Sequence, residues 1–293
     1  MNVVSAETAG PAVVAPAVAR PASPARRWDP RLYQIATLAG LLGYGVWWLD
    51  LEVEPANAVT IIVTALTTQL VLAGRDRLDP RSALISGLSL CLLLRTDSLG
   101  LAMLAAVIAI ASKFTLRVRG KHVFNPTNFA LVVSMLVSPD VWVSPGQWGS
   151  GLVFAFLLAS AGGLVVNRAA RADVTLAFLA CYAGLLVDRS LWLGEPLAIS
   201  VHRLENGALV LFSFFMISDP RTTPDSRLGR VLFAALVALG AYTVQFWLFR
   251  TSGLLWSLAV CSLVVPLIDR LLPGPRYQWR AAAAPPFLER SSV

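Results

Sequence analysis

Residues 230–249, RVLFAALVALGAYTVQFWLF, and residues 253–269, GLLWSLAVCSLVVPLID, are separated only by Arg250, Thr251 and Ser252. Between Val231 and Phe249 no side chain carries a formal charge. About 20 mainly apolar residues are what a helix needs to cross a hydrocarbon core about 30 Å thick. Similar runs recur near 32–49, 56–74, 82–94, 98–112, 126–143, 149–167, 173–187 and 205–218, divided by short loops rich in charge, Pro and Gly. The pattern predicts an all-α integral membrane protein of about ten transmembrane segments. Composition agrees, since 56% hydrophobic residues, 14% charged residues and a mean hydropathy of +0.67 lie outside the range of a soluble globular domain. The expected organisation is a disordered Ala/Pro-rich tail over 1–30, a polytopic membrane domain over 31–271 and a second tail over 272–293. In the first tail the cations follow a weakly apolar stretch broken by Pro11, Pro16, Pro21 and Pro24, so no cleavable signal peptide is expected.

Lys and Arg set the orientation of such a chain, because cytoplasmic loops near segment ends collect them. With both termini in the cytoplasm, 20 of the 24 cationic residues fall on that side, in four loops and two tails. Only Arg95, Arg189, Arg203 and Arg250 fall outside. Trp47, Trp48, Trp142, Trp148, Trp192, Trp247 and Trp256 lie at or near the expected outer ends, where an amphipathic indole suits the headgroup level. The reading is a multi-pass protein of the cell (plasma) membrane with the lipid bilayer as its main partner. This topology accounts for the net charge of +7, and nucleic-acid binding is not expected.

Several chemistries are excluded by spacing. Cys91, Cys181 and Cys261 stand singly inside apolar segments and form no C-x-x-C pair. His122 and His202 fall on opposite sides of the membrane, so no metal site is expected. The segment interiors hold essentially no ionisable residue, which disfavours a pump built on buried carboxylates, and no catalytic constellation is visible. Asn57, Thr60, Thr64, Thr67 and Thr68 do follow one another at steps of three and four, which places them on one helical face. Two readings of Asn57, Thr60, Thr64 and Thr67 stay open: hydrogen bonding between helices, or the lining of a cavity for a polar solute.

The segments 82–94 and 205–218 are too short to cross, at roughly 1.5 Å per residue. They are the third and eighth of ten. Short segments at equivalent positions of two inverted halves point to a binding site, so a five-plus-five inverted repeat is expected. A four-segment offset, pairing Leu93–Leu99 with Leu185–Leu191, is a rival.

Two loops expected in the cytoplasm concentrate hydrogen-bonding residues. One runs from Ser112 to Phe129 and contains Gly120-Lys121-His122-Val123-Phe124-Asn125-Pro126-Thr127-Asn128, with Pro126 suited to a first helical turn and Asn125 to its cap. Lys113 and Lys121 beside that helix start make an anion site conceivable. The other contains Phe214-Phe215-Met216-Ile217-Ser218-Asp219-Pro220 and continues through Thr222, Thr223 and Asp225 to Arg227 and Arg230, either of which can pair with Asp225. Capping and turn formation alone are the plain alternative for both loops.

These segments resemble the F-N-P and F-F-M-x-[ST]-D-P motifs of the RnfD/NqrB family of membrane electron-transport subunits. The extended first loop and Val143-Ser144-Pro145-Gly146-Gln147-Trp148-Gly149 look most like its short, stand-alone branch, which includes the UnbU-type proteins of enediyne biosynthesis. The resemblance implies a ten-helix, urea-transporter-like fold of two inverted repeats, flavin held in the membrane domain, and other membrane or redox subunits as partners. It makes Lys121, His122, Asn125, Pro126, Thr127, Asn128, Ser218, Asp219, Pro220, Thr222 and Thr223 candidate cofactor-binding residues. Family members carry FMN covalently on Thr in an S-G-A-T motif. The outer loop read as corresponding, Val187 to Pro196, has no Thr, so covalent FMN is not expected, while noncovalent FMN, riboflavin or a quinone stays open. The alternative is a small-molecule channel on the same fold without redox chemistry. Reporter fusions after Arg77, Arg119, Arg171 and Arg227 should report cytoplasm, and those after Glu54, Trp142, Leu193 and Thr251 the outside. Two or more reversals would exclude the ten-segment reading.

Overall fold

The computed structural model describes residues 29–48, 51–73, 79–143 and 171–277. The first tail up to residue 28, the expected segment 149–167, the Ser144–Gly149 part of its preceding loop and the tail beyond 277 lie outside the described residues.

Proline starts four of the helices: α1 (Pro30–Trp48), α2 (Pro55–Ala73), α3 (Pro80–Leu93) and α5 (Pro126–Val137). Its fixed φ suits a first turn, where the missing N–H has no partner to lose. Side-chain caps start others. Ser98 accepts from Leu101 N at α4 (Leu99–Thr115), and Ser226 accepts from Gly229 N at α9 (Arg227–Phe246). The remaining helices are α6 (Ala172–Leu193), closed by Gly194 at φ 68, α7 (Leu197–Leu204), α8 (Gly207–Leu211, continuing as a π-helical turn over Phe212–Met216), α10 (Gly253–Ser262) and α11 (Val265–Leu271). Helix α7 was not expected from the sequence. Two short antiparallel pairs complete the described fold: β1 (Leu94–Arg95) with β4 (Trp142–Val143), and β2 (Arg117–Val118) with β3 (Lys121–His122).

Two helical groups form the core. In the first, α2 packs on α4 and α3, and α1 on α3; in the second, α9 packs on α6 and α10. Helix α5 touches α4, α3 and α10 and so joins the groups. Helices α6 and α9 start side by side, with Arg230 held by the Asp173 carboxylate. Three described helices, α2, α6 and α9, are long and apolar enough to cross a membrane, and α10 with α11, bent by 49°, makes a fourth if the pair is one span. Only 22–33% of the apolar windows in those three helices is buried inside the protein. A helix apolar on its outer face needs an apolar surrounding, which a bilayer supplies. Trp47, Trp48, Trp192 and Trp247 are strongly exposed at helix C-terminal ends.

The α9–α10 contact is close because it is made by small residues, as in membrane helix pairs generally. A Cβ on Gly240 would come within 2.4 Å of Ser257 Oγ, and one on Gly253 within 2.8 Å of the Ala241 carbonyl. Ser257 Oγ in turn donates to Val237 O at 2.7 Å. Gly240→Ala should therefore separate the helices and lower stability by about 1–3 kcal/mol, read as a reduced unfolding temperature in detergent relative to Gly184→Ala, whose Cβ meets nothing within 4 Å.

Candidate functional site

The first motif loop is shaped by a hairpin. Arg119 (φ 52) and Gly120 (φ 75) join β2 to β3 with two consecutive positive φ values, the geometry of a type I′ turn. The turn returns the chain so that Lys121 Nζ meets Asp225 Oδ1 at 2.9 Å and Asp269 Oδ2 at 2.7 Å. All three side chains are largely buried, and they tie the hairpin to the start of α9 and to α11. Four residues later Asn125 caps α5, accepting from Asn128 N at 3.0 Å. Its other side-chain atom, Nδ2, donates to Met216 O and to Asp219 Oδ2, both at 3.4 Å.

The second loop follows the π-helical turn, where Ile217 N donates to Phe212 O one residue further back than in an α-helix. Asp219 Oδ1 accepts from Arg221 N at 3.0 Å, and Asp219 O accepts from Thr222 N and Thr223 N at 3.1 Å each. Arg221 Nη1 lies 3.3 Å from His122 Nε2, which closes the second loop back onto the first.

Between them is a cavity of about 80 Å³. His122, Asn125, Pro126, Ser218, Asp219 and Pro220 of the candidate residues line it. Lys121 does not, because it is held by its two carboxylates. Thr127, Asn128, Thr222 and Thr223 sit behind the wall, with Asn128 Nδ2 donating to Leu255 O at 3.1 Å. The expected pairing of Arg227 or Arg230 with the Asp225 side chain is replaced: Arg230 binds Asp173 and reaches only the Asp225 backbone carbonyl, because α6 starts beside α9. Apart from Lys113, the far wall was not foreseen from the sequence. It comes from Arg31 and Gln34 of α1, Ser82 and Ser86 of α3, and Lys113 of α4, whose Nζ donates to Ser82 O at 2.7 Å and Ser82 Oγ at 3.1 Å. Ser82 and Ser86, one turn apart in an apolar segment, were the legible signal.

Electrostatics in the cavity follow from burial. Desolvation raises the proton affinity of Asp219, opposed by its bond from Arg221 N and by the charges of Arg221, Lys113 and Arg171. Its residue surface is partly exposed while its carboxyl is deeply enclosed; the cavity is what reaches it. His122 is pushed down to about 4 by burial first, then by Arg117, Arg221 and Lys113. Its Nδ1, Asn128 Oδ1 and Thr223 Oγ1 are buried with no hydrogen-bond partner among the described residues. Buried polar atoms rarely stay so, and three in one pair of loops mark a place for water or a ligand.

On α2 the structure separates the predicted polar line. The buried residues are Asn57, Ile61, Ala65 and Gln69. Asn57 lines a second cavity of about 660 Å³, whereas Thr60, Thr64 and Thr67 line neither cavity. Thr67 is exposed and donates to Val63 O at 2.9 Å, so its own helix satisfies the hydroxyl. Among the described residues no group of His, Cys, Asp and Glu is arranged to hold a metal ion.

Residues 140–277 match the model of the NQR2, RnfD, RnfE family. Over 123 residues the chain is 31% identical to the D subunit of the ion-translocating oxidoreductase complex of Escherichia coli (strain K12), and equally to the protein of that name from Shigella boydii serotype 18 (strain CDC 3083-94 / BS512). The alignment covers 41% of this chain and 35% of each relative, so it spans about a third of the length of the curated relatives. The Asp219 loop lies within the family match and the Asn125 loop before it.

His122 gives the site a pH signature. Its folded value of about 4 lies below the ordinary 6.5, so the unfolded chain takes up a proton first as pH falls. This contribution leaves stability unchanged above about pH 6.5 and lowers it progressively between 6.5 and 4. Thermal unfolding in detergent should lose less stability across that window in His122→Gln than in the parent chain; equal losses would mean that His122 is not held neutral.

Proposed function

We propose that this chain works as an RnfD-like subunit of a membrane oxidoreductase complex, with ten apolar segments in two inverted halves and a hydrated polar junction at its cytoplasmic end. One observation carries the reading. Asn125 and Asp219, 94 residues apart, meet across a cavity that uses the helix cap of one motif and the turn of the other. Loops that merely connect helices have no need to share a polar cavity. The inverted arrangement is supported by the two short helices: α3 ends at the cavity of about 660 Å³, and α8 ends at the motif cavity.

In this reading each residue has a physical task. Asn125 fixes the start of α5 and orients the Asp219 carboxylate. Asp219, with its raised proton affinity, exchanges a proton with cavity water more readily near neutral pH than an exposed carboxylate. Arg221 keeps the junction electropositive, Lys113 holds Ser82 by two hydrogen bonds, and neutral His122 offers an unpartnered ring nitrogen. About three waters fit in 80 Å³. An isoalloxazine ring does not, so the junction acts on water and small ions. A noncovalent flavin or quinone that served electron transfer would need a different seat on the chain or against a partner subunit.

The form of the first loop extends the reading to the stand-alone, UnbU-type branch and to enediyne biosynthesis. The second reading, a small-molecule channel without redox chemistry, is favoured by the larger cavity at the other end of α3. An absorption spectrum of the purified protein separates the two, since bound isoalloxazine is yellow. No ultraviolet-fluorescent band should remain on a denaturing gel, because the Val187–Pro196 loop has no acceptor Thr. Asn125→Ala and Asp219→Ala should each cost about 0.5–2 kcal/mol as lost caps, yet reduce activity per folded molecule in the membrane at least roughly tenfold. An unchanged ratio in both variants would leave the loops as structure alone.

A further inference from the structure

The cavity of about 660 Å³ sits at the end of α3 away from the motif loops, and its size is that of a small-ligand pocket. Arg95 forms part of its wall, immediately after α3, held in register by the pairing of β1 with β4 opposite Trp142. The Arg95 residue is only 7% exposed. Its Nη1 donates to Cys91 O at 3.2 Å and Leu94 O at 2.8 Å, so the guanidinium caps the end of α3 and is fixed in direction. Among the described residues, its Nη2 has no hydrogen-bond partner and no carboxylate lies within ion-pair distance of it. Leaving a buried guanidinium edge unpaired is costly, more so than leaving a neutral donor.

A second orphan stands in the same wall. Asn57 is 9% exposed, and its Nδ2 donates to Thr96 O at 2.7 Å and Glu54 Oε2 at 3.3 Å, while its Oδ1 has no partner among the described residues. Around both, Glu52, Glu54 and Asp97 line the cavity and are exposed. The cavity is therefore bipolar, with one buried cation in its wall and three carboxylates at its rim. A simple anion would be drawn to Arg95 and repelled by the rim; a simple cation would meet the reverse.

We propose that this cavity binds a small zwitterion, with its oxyanion on Arg95, its donor group on Asn57 Oδ1 and its ammonium toward Glu52, Glu54 and Asp97. Two sources share that chemistry: a free amino-acid-like solute, and the phosphoethanolamine head of a lipid. The site is separate from the motif junction and does not depend on the electron-transport reading.

Trp142 lines the cavity and reports on it. The intact chain in detergent free of phosphatidylethanolamine is titrated with β-alanine, acetate and ethylammonium, and Trp142 fluorescence is taken as the difference from Trp142→Phe. The same difference is read in nanodiscs of phosphatidylglycerol with and without phosphatidylethanolamine. A response to β-alanine at concentrations at least about tenfold below those of acetate and ethylammonium assigns a free solute. A response only to phosphatidylethanolamine assigns the headgroup, and either result supports the zwitterion site. In both cases Arg95→Met should weaken binding about tenfold or more, and the exposed rim variants Glu52→Gln and Asp97→Asn about threefold each. The rim variants keep the test valid if Arg95→Met fails to fold. No response to any zwitterionic probe, an equal response to acetate alone, or rim variants that bind as well as the parent chain would overturn the proposal.

Discussion

A polar group placed inside an apolar slab has no water to fall back on, and every feature of this fold answers to that constraint. Along the long helices the backbone bonds to itself, and hydroxyls such as Thr67 and Thr243 return to the carbonyl one turn back. Where a helix stops early, its last carbonyls and its first N–H groups need other partners. The short helices α3 and α8 stop early, and their ends collect Arg95, Thr96, Ser218 and Asp219. Side chains take up carbonyls at both ends, Arg95 those of Cys91 and Leu94 and Asn125 that of Met216, and each end opens on a cavity.

The same constraint explains the ionic clamp beneath the motif junction. Lys121 between Asp225 and Asp269 joins its hairpin to two segments that are 104 and 148 residues from it in sequence. Removing Lys121 would leave two neighbouring, largely buried carboxylates without their cation, a loss of about 3–5 kcal/mol in comparable cases, whereas removing either Asp would leave the lysine paired with the other. The clamp keeps the hairpin over α11, and with it His122 within reach of Arg221. Residues 272–277 close the same end, with Arg276 Nη2 donating to Arg119 O at 3.0 Å and the Tyr277 ring 5.0 Å from the Arg171 guanidinium.

Two ends with different chemistry result. The motif end has a small cavity, cations in excess and a carboxylate of raised proton affinity. The other end has a larger cavity, a buried guanidinium and an acidic rim. The helix α3, about 20 Å long, separates them, and α5 connects its group to α10.

The sequence by itself determined where most of the described helices are, α7 excepted. Hydropathy over 20 residues, Pro at the first helical position and Asn125 as a cap are local properties, settled within a turn or two, and each expected segment among the described residues contains a helix. The ends differ, since α5 stops at Val137 where 143 was expected, α6 runs on to Leu193 past 187, and the single segment expected over 253–269 is broken into α10 and α11. It also marked Asn125 and Asp219, because turn and cap chemistry leaves a readable pattern. Tertiary structure alone decided which residues those groups met. Nothing local distinguishes Asn57, turned to a cavity, from Thr64 or Thr67, which are not, since all lie on neighbouring faces of one helix and only the packing of α3 and α4 chooses between them. Nothing local assigns Lys121 to two carboxylates instead of to an anion, or leaves Arg95 buried with no ion-paired carboxylate among the described residues. Charge pairing depends on which segments touch, and contacts across 100 residues are fixed by the packing of whole helices, not by the few residues on either side of a charge.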